Sequence, residues 1–523
     1  MNRILTSANK KMSLGSAAAL LSGASILGIL LGILRTKLIN ANFNSFSSDA
    51  YFAAFKIPDF IYFTLASGAL GVAFLPILSD KLLKNKQEAW QVASYVLNAL
   101  AIVAFLASVL IMIFAYPLMR LVADGFTPEQ LQLSVAIMRI VSINIFLFSI
   151  STVLTTVQQS VGRFFFFAVA PLFYNVAIVA SIYIFGDRIG IVGLGLGVAI
   201  GAILQLIVAS FGMIGLKFKY SFKIDFKDKG FLEVIKILPA RSIDQGVDYI
   251  NAIVETKFAS RLAIGTVTNY ENALLLHAAP IMLIGNSVAT AAFPRLTNRL
   301  SQGRVDLFRK EFLRVLQTII WLALPVVIVA YFSREYLARI IFARSNREIA
   351  LIFGFLCIAV FFRILYSIIS RYFYAYKDTK TPLFVSLFVI TLNIFLAYNL
   401  SKPGAYGVVG LALAQGIVAI TEILILTSIM IKRDHKLFNK VFIYTVLKIF
   451  LAGFFTAVTA YVVVKLIPLA QSDTGLQLIA KVSIVAGSAF AVQIIASYIL
   501  RLQEAKIVVK KVWQLMLRPM RIQ

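Results

Sequence analysis

Leu75-Pro76-Ile77-Leu78-Ser79-Asp80-Lys81-Leu82 is answered 218 residues later by Phe293-Pro294-Arg295-Leu296-Thr297-Asn298-Arg299-Leu300, and this pairing decides the fold. The same displacement relates Asn175 to Asn393. Gly190-Ile191-Val192-Gly193-Leu194 pairs with Gly407-Val408-Val409-Gly410-Leu411 at 217, and Ala115-Tyr116 with Ala330-Tyr331 at 215. Short apolar words recur by chance in a hydrophobic chain, but four matches at nearly constant spacing indicate an internal duplication.

The chain around these words has 523 residues, 60% hydrophobic and only 14% charged. That apolar share exceeds the roughly 45–50% of soluble domains, which argues against a soluble enzyme. Stretches of about 20 apolar residues, enough for a membrane-spanning helix, recur along the sequence. The fold class expected is therefore an all-α polytopic membrane protein. Spans are predicted at 13–37, 51–78, 91–117, 131–157, 164–185 and 189–215, then at 232–257, 266–293, 312–333, 347–373, 381–400, 406–431, 441–466 and 476–500. These fourteen spans group as a six-helix lobe over 1–216, a basic linker over 217–230, a second six-helix lobe over 231–436, and two further helices with a basic tail over 437–523.

Charge sets the orientation. Lys and Arg number 50 against 23 acids, a net +27 that in a soluble chain would suggest nucleic acid. Here most basic residues outside the spans fall on the side of the N-terminus, so both termini are expected in the cytoplasm and no nucleic-acid partner is expected. The first apolar stretch, Leu14 to Leu34, is longer than a signal-peptide core and reads as a retained span. Arg334, Arg339, Arg344 and Arg347 depart from the charge rule and suggest an interfacial helix on the outer side.

Six helices separate the repeats, an even number, so the halves share one orientation and an axis along the membrane normal. Such architectures place the substrate between lobes near the midplane and work by rocking, which makes the chain a transporter on fold grounds.

Charged groups inside the hydrocarbon are functional candidates by default. In the seventh span Arg241, Asp244, Asp248, Asn251 and Glu255 are spaced by 3, 4, 3 and 4, which puts them on one helical face. That face either lines a wet cavity or forms a buried ion-pair network. Arg35 and Lys37 end the first span, Lys56 and Asp59 lie in the second as a cavity pair or a private salt bridge, and Glu271, Asn272 and His277 lie in the eighth. Arg139 and Arg363 suit the neutralising of an acid between helices, and Lys448 and Lys481 either line a lipid groove or snorkel to an interface. Glu255 with Asn393 offers oxygen ligands for a coupling cation, Na+ or H+, with the membrane potential as the other source of drive.

No nucleotide loop, serine-hydrolase elbow or zinc-protease motif occurs, so no catalytic residue, resident metal or cofactor is expected. The single Cys357 excludes an internal disulfide. The glycines of Gly190 to Gly201 are read as close helix packing.

Asp49-Ala50-Tyr51-Phe52-Ala53-Ala54-Phe55-Lys56-Ile57-Pro58-Asp59, with Gly68-Ala69 and Ala73-Phe74-Leu75-Pro76-Ile77-Leu78, resembles the lipid II flippase family, MurJ/MviN, of the MOP exporter superfamily. The likeness continues in Gly162-Arg163-Phe164, Pro171 and Asn175, in Tyr249-Ile250-Asn251 to Glu255 with Ala259-Ser260, in Pro280 to Leu296, and in Phe373-Tyr374-Ala375 with Asp378-Thr379 and Thr381-Pro382. It covers roughly 20–430.

The resemblance implies a multi-pass protein of a bacterial plasma membrane. It also implies movement of an undecaprenyl-pyrophosphate-linked peptidoglycan precursor from inner to outer leaflet, with that lipid-linked precursor, membrane lipids and the cell-wall synthesis machinery as partners. It adds Asp49 to the cavity set of Arg35, Lys56, Asp59, Arg241, Asp244, Asp248, Asn251, Glu255, Glu271 and Asn272. The chain departs from the pattern where the family carries arginines and this sequence has Ile29, Tyr62 and Leu275, and where Ser67 replaces an acid. Arg35, Lys56 and Arg241 are expected to take over the anion. Transport of another lipid-linked oligosaccharide or a cationic drug, and a non-transporting scaffold, remain open readings.

Overall fold

The structure, a computed structural model, describes residues 9, 11–12, 14–342, 346–402 and 404–505; at 14–15, 18, 67–73, 237–248 and 346 it describes the backbone alone. Helices fill the chain and no strand occurs among the described residues. This is what lipid requires, since an unpaired backbone group has no partner there. Two compact units form, Met1–Thr268 and Asn269–Gln523.

The first unit holds α1 (Leu14–Asn42), then α2 (Ser45–Ala54) and α3 (Lys56–Tyr62), a π-helical turn at Phe63–Ser67, and α4 (Gly68–Lys84). After these come α5 (Lys86–Ile113), the short α6 (Ala115–Val122), α7 (Pro128–Val141) and α8 (Ile143–Ser160), α9 (Phe165–Ile189), α10 (Val192–Phe211) and α11 (Lys229–Ser260). The helix α12 (Thr266–Pro280) starts at the boundary. The second unit continues through a π-helical turn at Ile281–Asn286, α13 (Ser287–Ser301), α14 (Val305–Phe332), α15 (Arg334–Ile341), α16 (Asn346–Ala375), α17 (Lys380–Leu400), α18 (Gly407–Arg433), α19 (Lys440–Leu466) and α20 (Gly475–Ile499).

Twelve helices among the described residues are long and apolar enough to cross a membrane, against fourteen expected. The second and seventh expected spans are not among the twelve, and both run through residues whose side chains lie outside the described set. The second runs through α2, α3, a π-turn and α4, with only the backbone described over 67–73. The seventh, α11, is one continuous helix of 32 residues whose charges exceed what an apolar window tolerates. The interfacial helix expected from its arginines is α15, which carries Arg334 and Arg339; Arg344 lies outside the described residues.

The duplication is written in the backbone as well. The two π-turns begin 218 residues apart, at Phe63 and Ile281, and each leads into a helix with an internal proline, Pro76 or Pro294. The repeated Gly-x-x-Gly words have a physical role. Gly190 and Gly407 both take left-handed backbone, φ 62° and 55°, where a side chain would be strained. Three residues on, a Cβ at Gly193 would overlap Phe185, and one at Gly410 would overlap the Leu400 carbonyl. Further along α10, a Cβ at Gly197 would overlap Ser181 and one at Gly201 would press on the Tyr174 carbonyl. The ladder lets α10 lie directly on α9, as small residues do between membrane helices.

The compact units divide after Thr268, whereas the lobe boundary expected from the repeat lies at 216–231. The reason is α11, which packs against α3, α4, the first π-turn and α5. The basic linker before it is strapped down: Asn98 donates to the Ser221 and Lys223 carbonyls at 2.8 and 3.0 Å and accepts from Tyr220 at 2.5 Å. Outward-facing Phe395, Leu447 and Phe454 leave large apolar surface uncovered, as lipid-facing helices do.

Candidate functional site

In the first unit the polar candidates lie on three neighbouring stretches of chain. Arg35, near the end of α1, donates from Nη1 to Asn175 Oδ1 on α9 at 3.1 Å. Its Nε is buried with no hydrogen-bond partner among the described residues, so the guanidinium keeps a donor in reserve. Arg35 and Asp59 both lie within electrostatic reach of the buried Tyr51 and the half-buried Tyr174. Lys56 and Asp59, at the first turn of α3, are half-buried. Below them Tyr62, standing where the family pattern has an arginine, shares a hydrogen bond with Thr152 at 3.0 Å. Phe63 of the π-turn stacks on Tyr249 of α11 with centroids 4.4 Å apart at 16°. The widened turn thus presses against the helix that carries the polar stripe.

On that helix Asn251 Nδ2 donates to Glu255 Oε1 at 2.9 Å, and both residues are buried. The i, i+4 spacing read from the sequence accounts for the contact. The side chains of Arg241, Asp244 and Asp248 lie outside the described residues.

Asp49, expected in the cavity set, is held among hydrogen-bond donors of the chain itself. Its carboxylate, 2% exposed, accepts from the Gly265 and Thr268 amides at 2.6 and 2.7 Å and from Thr268 Oγ1 at 2.6 Å. It thereby caps the N-terminus of α12, where free N–H groups and the helix dipole favour an anion. Asp49 is a positioning residue in this structure.

A second tie at the same segment escaped the sequence reading. Asp124 receives a forked pair of hydrogen bonds from Arg261, at 2.8 and 2.6 Å, with Lys257 Nζ 3.5 Å away. Gly125 makes the approach feasible, since a Cβ there would collide with the Ser260 and Arg261 backbone. The Arg261 hydrogen bond, and then its charge and that of Lys257, outweigh burial and hold the Asp124 carboxyl below the usual carboxylate range.

In the second unit Arg363 on α16 pairs with Glu422 on α18 at 3.1 Å, and Ser386 on α17 donates to the same carboxylate at 3.2 Å. The expected neutralising role for Arg363 holds, and the acid is one that the sequence reading passed over. A lone glutamate within the apolar run of α18 was the available signal. Arg139 instead donates to the Met112 carbonyl at 3.2 Å. Asn272 and Asn393 are both 1% exposed, and Glu271 is half-buried. Lys448 donates to the Leu500 carbonyl at 3.0 Å and Lys481 pairs with Asp473 at 2.6 Å, so each reaches a helix end or a loop, as snorkelling predicts. No cluster of three or more metal-ligating residues occurs among the described residues.

Comparison with known proteins adds the family. The family model described as "Lipid II flippase MurJ" matches residues 38–482. The chain belongs to the lipid II flippase MurJ family. Relatives described as probable lipid II flippase MurJ include one from Borreliella burgdorferi, 24% identical over 78% of this chain and 81% of its own length. Another, from Thermotoga maritima, is 27% identical over 78% of this chain and 84% of its own. Among solved structures, a lipid II flippase MurJ in an inward closed conformation superposes with a TM-score of 0.78 at 24% identity, covering 92% of this chain and 98% of that one. An inward-facing multidrug resistance MATE transporter of the MOP superfamily matches with a TM-score of 0.68 at 14% identity, over 78% and 96% of the two chains. These structural likenesses show that the chain shares the fold of those two proteins.

Proposed function

We propose that the chain is a lipid II flippase, carrying the undecaprenyl-pyrophosphate-linked precursor from the inner to the outer leaflet by alternating access. Membership of the MurJ family over 38–482 carries this reading. Arg35 supports its chemistry: a guanidinium within a span suits a pyrophosphate, which accepts paired N–H bonds. In this reading Lys56 and Arg241 share the anion, taking over where Ile29, Tyr62 and Leu275 replace the family's arginines. Asp59, Asp244, Asp248, Asn251, Glu255, Glu271 and Asn272 complete the wet lining. The moving halves are those of the repeat, 1–216 and 231–436, with fourteen spans and both termini cytoplasmic. Glu255 and Asn393 are offered for a coupling Na+ or H+, and the protein transports without catalysing a covalent step.

The test is charge reversal. Arg35→Glu, Lys56→Glu and Arg241→Glu, each shown to be folded in proteoliposomes, are expected to abolish lipid II flipping. Native activity in all three would overturn the site.

A further inference from the structure

Two cavities in the second unit share a wall, and their linings differ in kind. The first, about 580 Å³, is lined by α14, α16 and Phe450 of α19, with Leu324, Ile328, Leu351, Ile358 and Phe361 among its walls. Its cation is Arg334. The second, about 540 Å³, is more polar: beside Phe332, Val464 and Leu469 it is faced by Arg334, Glu335 and Lys465 with Tyr331, Tyr336 and Tyr461. Tyr331, Phe332 and Arg334 belong to both, so an apolar groove and a charged socket adjoin along that wall.

We propose that this composite site binds one phospholipid with an amine-bearing headgroup, its acyl chain in the groove and its headgroup in the socket. Depth supports it. Lys465 and Phe450 lie fifteen residues apart on α19, which at ~1.5 Å per residue is ~22 Å, the depth of one leaflet including its headgroups. Charge supports it as well. Neither Arg334 nor Lys465 pairs with a carboxylate among the described residues; each lies over a tyrosine ring instead, at 4.6 and 5.8 Å. Two cations suit one phosphodiester, and Glu335 beside them suits an ammonium. The tyrosines sit where aromatic side chains gather at a membrane interface.

The socket is held in shape before any lipid arrives. Tyr336 donates to the Ile467 carbonyl at 2.9 Å, Arg339 donates to the carbonyls of Ala470 and Gln471, and Lys481 holds Asp473 at 2.6 Å. The first three bonds fasten α15 to the loop between α19 and α20 and the last ties that loop to α20, so little ordering remains to be done on binding. Under the topology proposed above the lipid belongs to the outer leaflet, and that assignment alone rests on the functional reading.

Native mass spectrometry of the full chain in detergent tests the site. The probes are dioleoyl phosphatidylethanolamine, dioleoyl phosphatidylglycerol and dioleoylglycerol. Arg334→Ala and Lys465→Ala should each weaken phosphatidylethanolamine binding about tenfold while leaving dioleoylglycerol unchanged, the loss expected for one charge-assisted contact. Glu335→Gln should remove the preference for phosphatidylethanolamine over phosphatidylglycerol. Gly354→Leu should abolish binding of all three, because a Cβ at Gly354 already meets Arg334 Cδ at 3.0 Å and Tyr331 at 3.7 Å. Melting without added lipid identifies any variant that fails to fold, in which case the remaining variants decide. Native-like phosphatidylethanolamine binding in both alanine variants, or retention of lipid by Gly354→Leu, would overturn the proposal. So would displacement of the phospholipid by lipid II at equal concentration, which would make this a substrate subsite. Binding is read here without flipping, so this proposal and the flippase reading can fail separately.

Discussion

Replacing Asp49 should release the N-terminus of α12. The carboxylate accepts three short hydrogen bonds in a setting only 2% exposed, two from backbone amides and one from a hydroxyl. A hydrogen bond to a charged group is worth about 1.5–3 kcal/mol, so three at the lower bound make about 4.5 kcal/mol for Asp49→Ala. Loss of the favourable charge at the helix end adds up to about 1 kcal/mol. Asp49→Asn keeps one acceptor oxygen and should lose about half as much. Hydrogen exchange in detergent or nanodiscs reads this locally. The Gly265 and Thr268 amides should exchange faster by about three orders of magnitude in Asp49→Ala, as about 4.5 kcal/mol implies, and less so in Asp49→Asn. Native protection at both amides in Asp49→Ala would refute the capping role.

Three further outcomes follow from the same physics. Arg363→Ala leaves Glu422 buried without its cation and should cost about 3–5 kcal/mol in thermal unfolding, whereas Arg363→Ala with Glu422→Gln should recover most of it; an additive double variant would contradict the pairing. The Asp124 carboxyl is held below its ordinary range by Arg261, so its contribution is present above that range and lost as pH falls through the lowered value. Between about pH 7 and pH 3 the native protein should therefore lose more melting temperature than Asp124→Asn, and equal losses would remove the lock. Gly197→Leu should destabilise the first unit by about 1–3 kcal/mol or more through overpacking of α10 on α9, with unchanged melting as the contrary result.

Most of the helical layout was legible because lipid imposes a simple rule: about 20 apolar residues and no open backbone. The duplication was equally legible, since Pro76 and Pro294 recur inside equivalent helices and Gly190 and Gly407 mark positive-φ turns that tolerate few other residues. The π-turns at Phe63 and Ile281 left no periodic signal, because a single widened turn changes the spacing of too few side chains. Part of the site was readable in the same way. Asn251 and Glu255 meet because four residues make about one helical turn. Pairs joined across sequence distance, Arg35 with Asn175 or Asp49 with Thr268, depend on which helices become neighbours, and no local pattern reports that. The packing of α11 on the first unit was hidden for the same reason: the repeat records descent, and contact is decided by the apolar faces available.

Leaflet exchange of labelled lipid II in proteoliposomes bears most directly on the central claim. The native chain, verified as folded and inserted, is expected to expose inner-leaflet lipid II far faster than empty vesicles do, and Arg35→Glu to return the rate to that of empty vesicles. A native chain that leaves lipid II in place, at the protein density where a known flippase moves it, would contradict the account.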